Sequence, residues 1–269
     1  VRGVRSRRTP RTPRMSLVDW AGLAATTFAA SLLQAAGGFG FAVVAVPLFL
    51  LLVEPARAIQ LVIIITAALS LAVLPRLWRA IAPRLLLRLA AGSLVGLPFG
   101  LAAFRFSDPR LVRIVAGAGV LGFAVLITAL RTRGSRSVGR AHLAMTPGRD
   151  LAAGTVSGAA TALVGMSGPP VVIYLILAEM PPRTVRATLL AFFALIYAAT
   201  LAAHAATIGV PASTWAAAAI LIPFAVLGGL AGRPLGDRLG ADAFAVLAIV
   251  LLGAAGLYTL VAAGLAGRP

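Results

Sequence analysis

The stretch GGFGFAVVAVP, Gly37–Pro47, decides how this chain is read, because it places three glycines and a proline inside an apolar run that extends from residue 17 to 53. Glycine interrupts a helix through its backbone entropy, and proline through its missing N–H. In a bilayer core, backbone that leaves its own helix persists only where protein or a polar cavity surrounds it. A break of this composition at membrane depth therefore points to a cavity.

The rest of the chain says that the break does lie in a membrane. The sequence is 60% hydrophobic, with a mean hydropathy of +1.00 and seven acidic residues among 269. A soluble domain cannot hide that much apolar surface, so the class is an all-α polytopic membrane protein with the lipid bilayer as its partner. A net charge of +17 raises the question of nucleic acid. All 24 cationic side chains are Arg, however, and they fall between apolar runs rather than in one patch. That is the distribution of membrane loops, and no nucleic-acid partner is expected. With no cysteine in the chain there are no thiolate sites, and neither metal nor cofactor is expected.

Counted against the roughly 20 residues that cross a bilayer, the apolar runs give eight segments: 17–53, 58–75, 83–104, 110–130, 150–180, 185–207, 213–235 and 242–264. The first and fifth are longer than a crossing needs, and both are interrupted. An offset of 127 residues lays GGFGFAVVAVPLFLLLVEPARA over GMSGPPVVIYLILAEMPPRTVRA, matching Gly38 to Gly165, Gly40 to Ser167 and Pro55 to Pro182. After a small insertion, Gly96 and Gly100 fall over Gly228 and Gly232. The expected organisation is a basic N-terminal tail (1–16), a first membrane repeat (17–130), an Arg-rich linker (131–149), a second repeat (150–264) and a short C-terminal tail (265–269).

The tail VRGVRSRRTPRTPRMS carries six Arg and no acid, and is expected to be disordered and held on the cytoplasmic face. A signal peptide does not fit the long apolar run that follows. If every segment crosses once, sixteen of the arginines lie on the side of both termini and eight on the other, which puts both termini on the cytoplasmic side of a cell inner membrane or plasma membrane. If the two long segments enter and return, each half has an odd number of crossings and the repeats are inverted. The sequence leaves both arrangements open, as it does association with further copies of the chain.

Breaks at matching positions of two repeats are the best sequence pointer to a transporter's substrate site, because each half-helix ends in unpaired backbone groups. Free N–H groups at the start of a half-helix favour an anion. In the second half Gly165 and Gly168 permit the turn, Pro169 and Pro170 are tolerated in a first helical turn, and Ser167 supplies a hydroxyl. Gly37, Gly38 and Gly40 play the matching part in the first half. Gln34, Phe41 and Thr161 complete the expected lining of a midplane cavity formed by residues 34–47 and 161–174. Arg57 and Arg183, near the outer ends of the long segments, are expected to steer an anion towards it, against the plainer reading of interfacial anchors. Arg186 is read with Arg183 and Glu179 as belonging to that outer end.

These residues also resemble a known family. GGFGFAVVAVPLFLLLVEPARA together with GTVSGAATALVGMSGPPVVIYLILAEMPPRTVRAT is similar to the paired glycine-rich signatures of the sulfite exporter TauE/SafE family, over most of the chain from about Leu17. The resemblance implies a duplicated multi-helix transporter for sulfite, organosulfonates or a related small oxyanion. Ala35, Ala36 and Phe39 stand where members often have further glycines, and Ser167-Gly168-Pro169-Pro170 where a Gly-Gly-Gly-Pro run is common. These departures bear on the particular substrate more than on the fold.

Two other functions compete. A passive anion channel would use the same cavity. GMSG, Gly165–Gly168, also satisfies the G-x-S-G pattern of a rhomboid-like intramembrane serine protease, with Ser167 as nucleophile and His204 as base. A catalytic dyad gives no reason for the first copy to be broken as well, and Gly40 stands where that serine would be. The reading that accounts for both breaks is a transporter and not an enzyme.

Overall fold

The computed structural model describes residues 15–132 and 144–265, and every regular element among them is helical. The basic tail up to residue 14, most of the Arg-rich linker and the last residues of the C-terminal tail lie outside the described residues.

Helix α1 (Leu17–Gly37) begins where the sequence supplies a capping box. Ser16 Oγ accepts from the Asp19 N–H at 3.1 Å, and the Asp19 carboxylate accepts from the Ser16 N–H at 2.9 Å. It ends at Gly38, whose φ of +81° is the left-handed conformation that favours glycine, with its N–H donating to Gln34 O at 2.7 Å. Helix α2 (Phe41–Leu52) then turns back along α1. A Cβ added at Gly22, early in α1, would lie 3.1 Å from Leu52 Cδ1 at the end of α2. The first long segment is therefore a hairpin that enters and returns.

The second long segment does the same. Helix α6 (Pro147–Val164) is capped by Thr146 and ends at Gly165, φ +74°, whose N–H donates to Thr161 O at 2.8 Å. Helix α7 (Gly168–Leu177) returns until the Tyr174 hydroxyl donates to the carboxylate of Asp150, in the first turn of α6. Both segments left open by the sequence are thus resolved as returning hairpins.

The remaining helices are α3 (Pro55–Val73), α4 (Pro83–Phe106), α5 (Pro109–Thr132), α8 (Pro182–Thr207) and α9 (Ala212–Leu265), with two short 3₁₀ turns at Leu74–Arg76 and Trp78–Ala80. Proline opens α3, α4 and α8, where its missing N–H costs nothing. Among the described residues five stretches are long and apolar enough to cross a membrane: Pro55–Arg76, Pro83–Phe106, Pro109–Ala129, Pro182–Thr207 and Ala212–Gly232. The two segments expected at 213–235 and 242–264 fall within the single element α9. It lies against α1 around Gly228 and against α5 around Gly256.

Helices α3 and α8 form the centre and run antiparallel. Gln60 Nε2, near the start of α3, donates to Gly209 O just past the end of α8 at 2.8 Å, while the Ala82 N–H, beyond the end of α3, donates to Thr188 Oγ1 near the start of α8 at 3.1 Å. Around them α4, α5 and α9 turn Leu94, Phe99, Val125, Phe224 and Leu230 outward, as lipid-facing helices must.

The hairpins are exchanged between the halves: α1 packs on α9 and α6 on α4. Both contacts bring backbones together through small residues. A Cβ at Gly96 or Gly100 would overlap the carbonyl oxygen of Thr155 or Ala159, and one at Gly228 or Gly232 that of Phe28 or Leu32. Thr155 and Ala159 follow Phe28 and Leu32 by 127 residues, the offset read from the sequence. Helices α3 and α8, which hold the aligned Ile59 and Arg186, run antiparallel.

Because the hairpins return, the molecule has one face bearing Met15, Glu54, Ser107 and Gly209, and an opposite face bearing Trp78, Pro83, Thr146 and Met180. The expectation that the tail, the 76–88 loop and the linker share a side fails here. The loop and both ends of the linker lie on the face opposite to the start of α1, so the count of sixteen arginines against eight no longer orients the chain.

Candidate functional site

The two breaks form the tips of the two hairpins, each buried against a helix of the other half. At the first tip Gly38 lies under the stem of Arg186, one turn into α8; a Cβ there would be 2.8 Å from Arg186 Cγ. The Arg186 guanidinium Nη2 donates to Ala35 O at 2.6 Å, neutralising a carbonyl at the C-terminus of α1. Phe39 packs edge-on against Phe123 of α5, with ring centroids 6.0 Å apart. Gly40, φ +125°, starts α2, and Phe41 behind it is fully buried.

At the second tip Gly165 touches Ile59 of α3 and Val46 of α2. Ile59 precedes Arg186 by the same 127 residues that separate Gly38 from Gly165, so the two tips have corresponding neighbours. Tyr197 of α8 braces the turn. Its hydroxyl donates to Gly165 O at 3.2 Å and accepts from the Ser167 N–H at 3.4 Å. Ser157 Oγ donates to Ser167 O, and Gly168 lies beside the Phe193 ring. Ser167 is fully buried and its Oγ has no hydrogen-bond partner. Thr161, one turn earlier, is also buried, and its hydroxyl donates to Ser157 O. Gln34, the residue matching Thr161 in the first half, is 3% exposed and its Nε2 is unpartnered.

The expected site residues thus form two clusters. Residues Gln34, Gly37, Gly38, Gly40 and Phe41 make one, and Thr161, Gly165, Ser167, Gly168, Pro169 and Pro170 the other. They meet through Val46 and Gly165 rather than tip to tip. Val46 is six residues from Gly40, about 9 Å along α2. The cavities at the two faces are lined by residues other than these tips.

The donor set is narrower than the sequence suggests. The N–H groups of Gly38 and Gly165 are spent on helix ends, that of Ser167 faces Tyr197, and Pro169 and Pro170 have none. The first N–H groups of α2 and that of Gly168 remain as the helix-start donors. Arg57 and Arg183 lie at opposite faces: Arg57 lines a cavity on the first face, and Arg183 is exposed at the start of α8. Arg186 is not an outer residue but reaches the first tip. Sequence reasoning passed over Tyr197 altogether, since an aromatic residue in an apolar helix carries no signal of what its hydroxyl meets.

Ser167 and His204 do not pair in this arrangement. His204 stacks on Phe104 and its Nε2 lies 3.3 Å from Ala162 O. The residue of α8 that meets the Ser167 turn is Tyr197, two helical turns and about 10 Å earlier.

The family model described as sulfite exporter TauE/SafE matches residues 23–259. The chain belongs to the TauE/SafE family. No curated protein and no solved structure matches it. Membership makes this a multi-pass membrane transporter, and both hairpins with their tips lie inside the matched region.

Proposed function

We propose that this TauE/SafE protein carries a small oxyanion, sulfite or a sulfonate, through a site at the hairpin tips, and that it is not an enzyme. The observation that carries the reading is a buried polar side chain at each tip, Ser167 beside Tyr197 at the start of α7 and Gln34 with an unpartnered Nε2 at the end of α1, in a transporter family. A buried polar group is normally satisfied, so an unpartnered one beside helix-start N–H groups suits a ligand that accepts hydrogen bonds. Gln34 Nε2 offers a second buried donor at the first tip. In this reading Ser167, Thr161 and Gln34 orient the anion, Gly37, Gly38, Gly40, Gly165 and Gly168 let backbone approach it, and Phe41, Pro169 and Pro170 form apolar walls. Arg57 and Arg183 steer from the two faces.

Breaks in two corresponding helices suit a carrier with alternating access, and a passive anion channel is the alternative. The test is uptake and efflux of radiolabelled sulfite by the purified protein in liposomes, with and without an imposed proton gradient. Saturable flux that competing sulfonates inhibit is expected. Absence of sulfite and sulfonate flux in either direction sinks the reading, and flux that does not saturate transfers it to a channel.

A further inference from the structure

On the first face two adjoining cavities of about 440 and 540 Å³ share Glu54, Ala56, Arg113 and Ile208. The starts of α3, α5 and α9 converge on this vestibule, each presenting the positive end of a helix. Helix starts do not make a site, but the side chains here add to them. Arg57 and Arg113 line the first cavity, Arg113 and Arg105 the second. Arg113 is oriented by its Nε, which donates to Leu50 O in the last turn of α2 at 3.0 Å, and this leaves the two terminal nitrogens of the fork for other acceptors. Arg57 Nε is buried without a partner. Thr214, at the start of α9, lines the cavity, is 1% exposed, and its Oγ1 is also unpartnered. Gln60 lines the cavity too and is tied to Gly209 O. Glu54 stands at the rim, exposed, and forms no ion pair with either arginine.

We infer that the pocket formed by Arg57, Arg113, Thr214 and Gln60 binds a small oxyanion, as a second site outside the hairpin tips. Two guanidinium groups and a hydroxyl match a tetrahedral or pyramidal oxyanion that accepts several hydrogen bonds at once. The inference rests on the transport reading for its substrate class, and the fold connects the two sites. Gln60 in the pocket is the chain neighbour of Ile59, and Ile59 touches Gly165 at the second tip. The pocket is thus the antechamber of the Ser167 tip. On the opposite face a cavity of about 390 Å³ is lined by Arg84 and Arg88, of which Arg88 is paired with Asp150 at 3.1 Å.

A lipid phosphate offers the same chemistry as a free oxyanion, and the bilayer composition separates them. The full chain is placed in nanodiscs of neutral phosphatidylcholine, and equilibrium binding of radiolabelled sulfite is measured for the wild type, Arg57→Gln, Arg113→Gln, Thr214→Val and Gly119→Ala. The arginine variants should weaken one binding event about tenfold, the effect of losing a charged hydrogen bond. Thr214→Val, isosteric and safe for folding, should weaken the same event a few-fold. Gly119→Ala, on an open surface of α5, should retain it. Sulfite affinity unmoved by Thr214→Val and both arginine variants overturns the inference, as does a wild type that binds no sulfite. So does a pocket that loses sulfite to phosphatidylglycerol when that lipid is added. Flux in liposomes, run in parallel, judges the transport reading separately: a protein that carries sulfite while these variants bind it normally keeps the carrier and loses the antechamber.

Discussion

Arg186 holds the last turn of α1 through Ala35, with its Nη2 2.6 Å from that carbonyl oxygen, and its stem covers Gly38. The tip is therefore sensitive to a single methyl group. Gly38→Ala forces φ +81° on a residue with a Cβ and drives that Cβ into Arg186 Cγ. A loss of about 1 to 3 kcal/mol is expected, read as a lower unfolding temperature of the detergent-solubilised protein. Gly119→Ala, on an open surface of α5, is the control and should leave stability level or raise it by up to about 1 kcal/mol.

The exchanged hairpins give a paired prediction. Gly96→Ala places a methyl on the Thr155 carbonyl of α6, and Gly228→Ala places one on the Phe28 carbonyl of α1. Neither backbone can move without shifting its helix, so each should cost about 2 kcal/mol or more. Folded yield and unfolding temperature should fall together for both. A drop confined to one variant argues against equivalent packing in the two halves.

Asp150 closes the base of the second hairpin, where it is 1% exposed, accepts from the Tyr174 hydroxyl and pairs with Arg88. Asp150→Asn should destabilise by about 1 to 2 kcal/mol, the value for a buried pair reduced because the Arg88 side chain is 42% exposed. Tyr174→Phe should cost less, since it removes one neutral donor. Thermal unfolding of the two variants and their double mutant gives the coupling between them.

Ser167 separates transport from proteolysis. Ser167→Ala should weaken anion affinity by roughly 0.5 to 3 kcal/mol, raising the apparent KM while flux survives at higher substrate. Ser167→Leu and Gly40→Leu should abolish flux, because each side chain fills the approach to a helix start. A fluorophosphonate should not label the wild type, and stoichiometric labelling at Ser167 would end the transporter reading.

Returning hairpins also predict which positions share a side. The chain has no cysteine, so single cysteines report without background. Ser107→Cys and Ala212→Cys should react with an impermeant maleimide from one side, and Ala80→Cys and Thr146→Cys from the other. Labelling of all four from a single side is incompatible with the fold.

The sequence by itself determined the solvent, the elements and the position of the breaks. Apolar composition requires a bilayer, proline and capping residues mark helix starts, and glycine marks the left-handed turns that end α1 and α6, at Gly38 and Gly165. These are local properties, carried by a residue and its near neighbours in the chain. What only the tertiary structure decided was the return of each hairpin, the exchange of α1 and α6 between the halves, and the partners of the tips. Arg186 reaches Ala35 across 151 residues, Tyr197 meets a turn 30 residues away, and Arg113 takes up Leu50 O across 63. Contacts over such separations depend on how helices lie side by side. The alternation of apolar residues along each helix is the same whether the next one crosses or turns back, so nothing in it distinguishes an arginine at the membrane surface from one that caps a buried helix end.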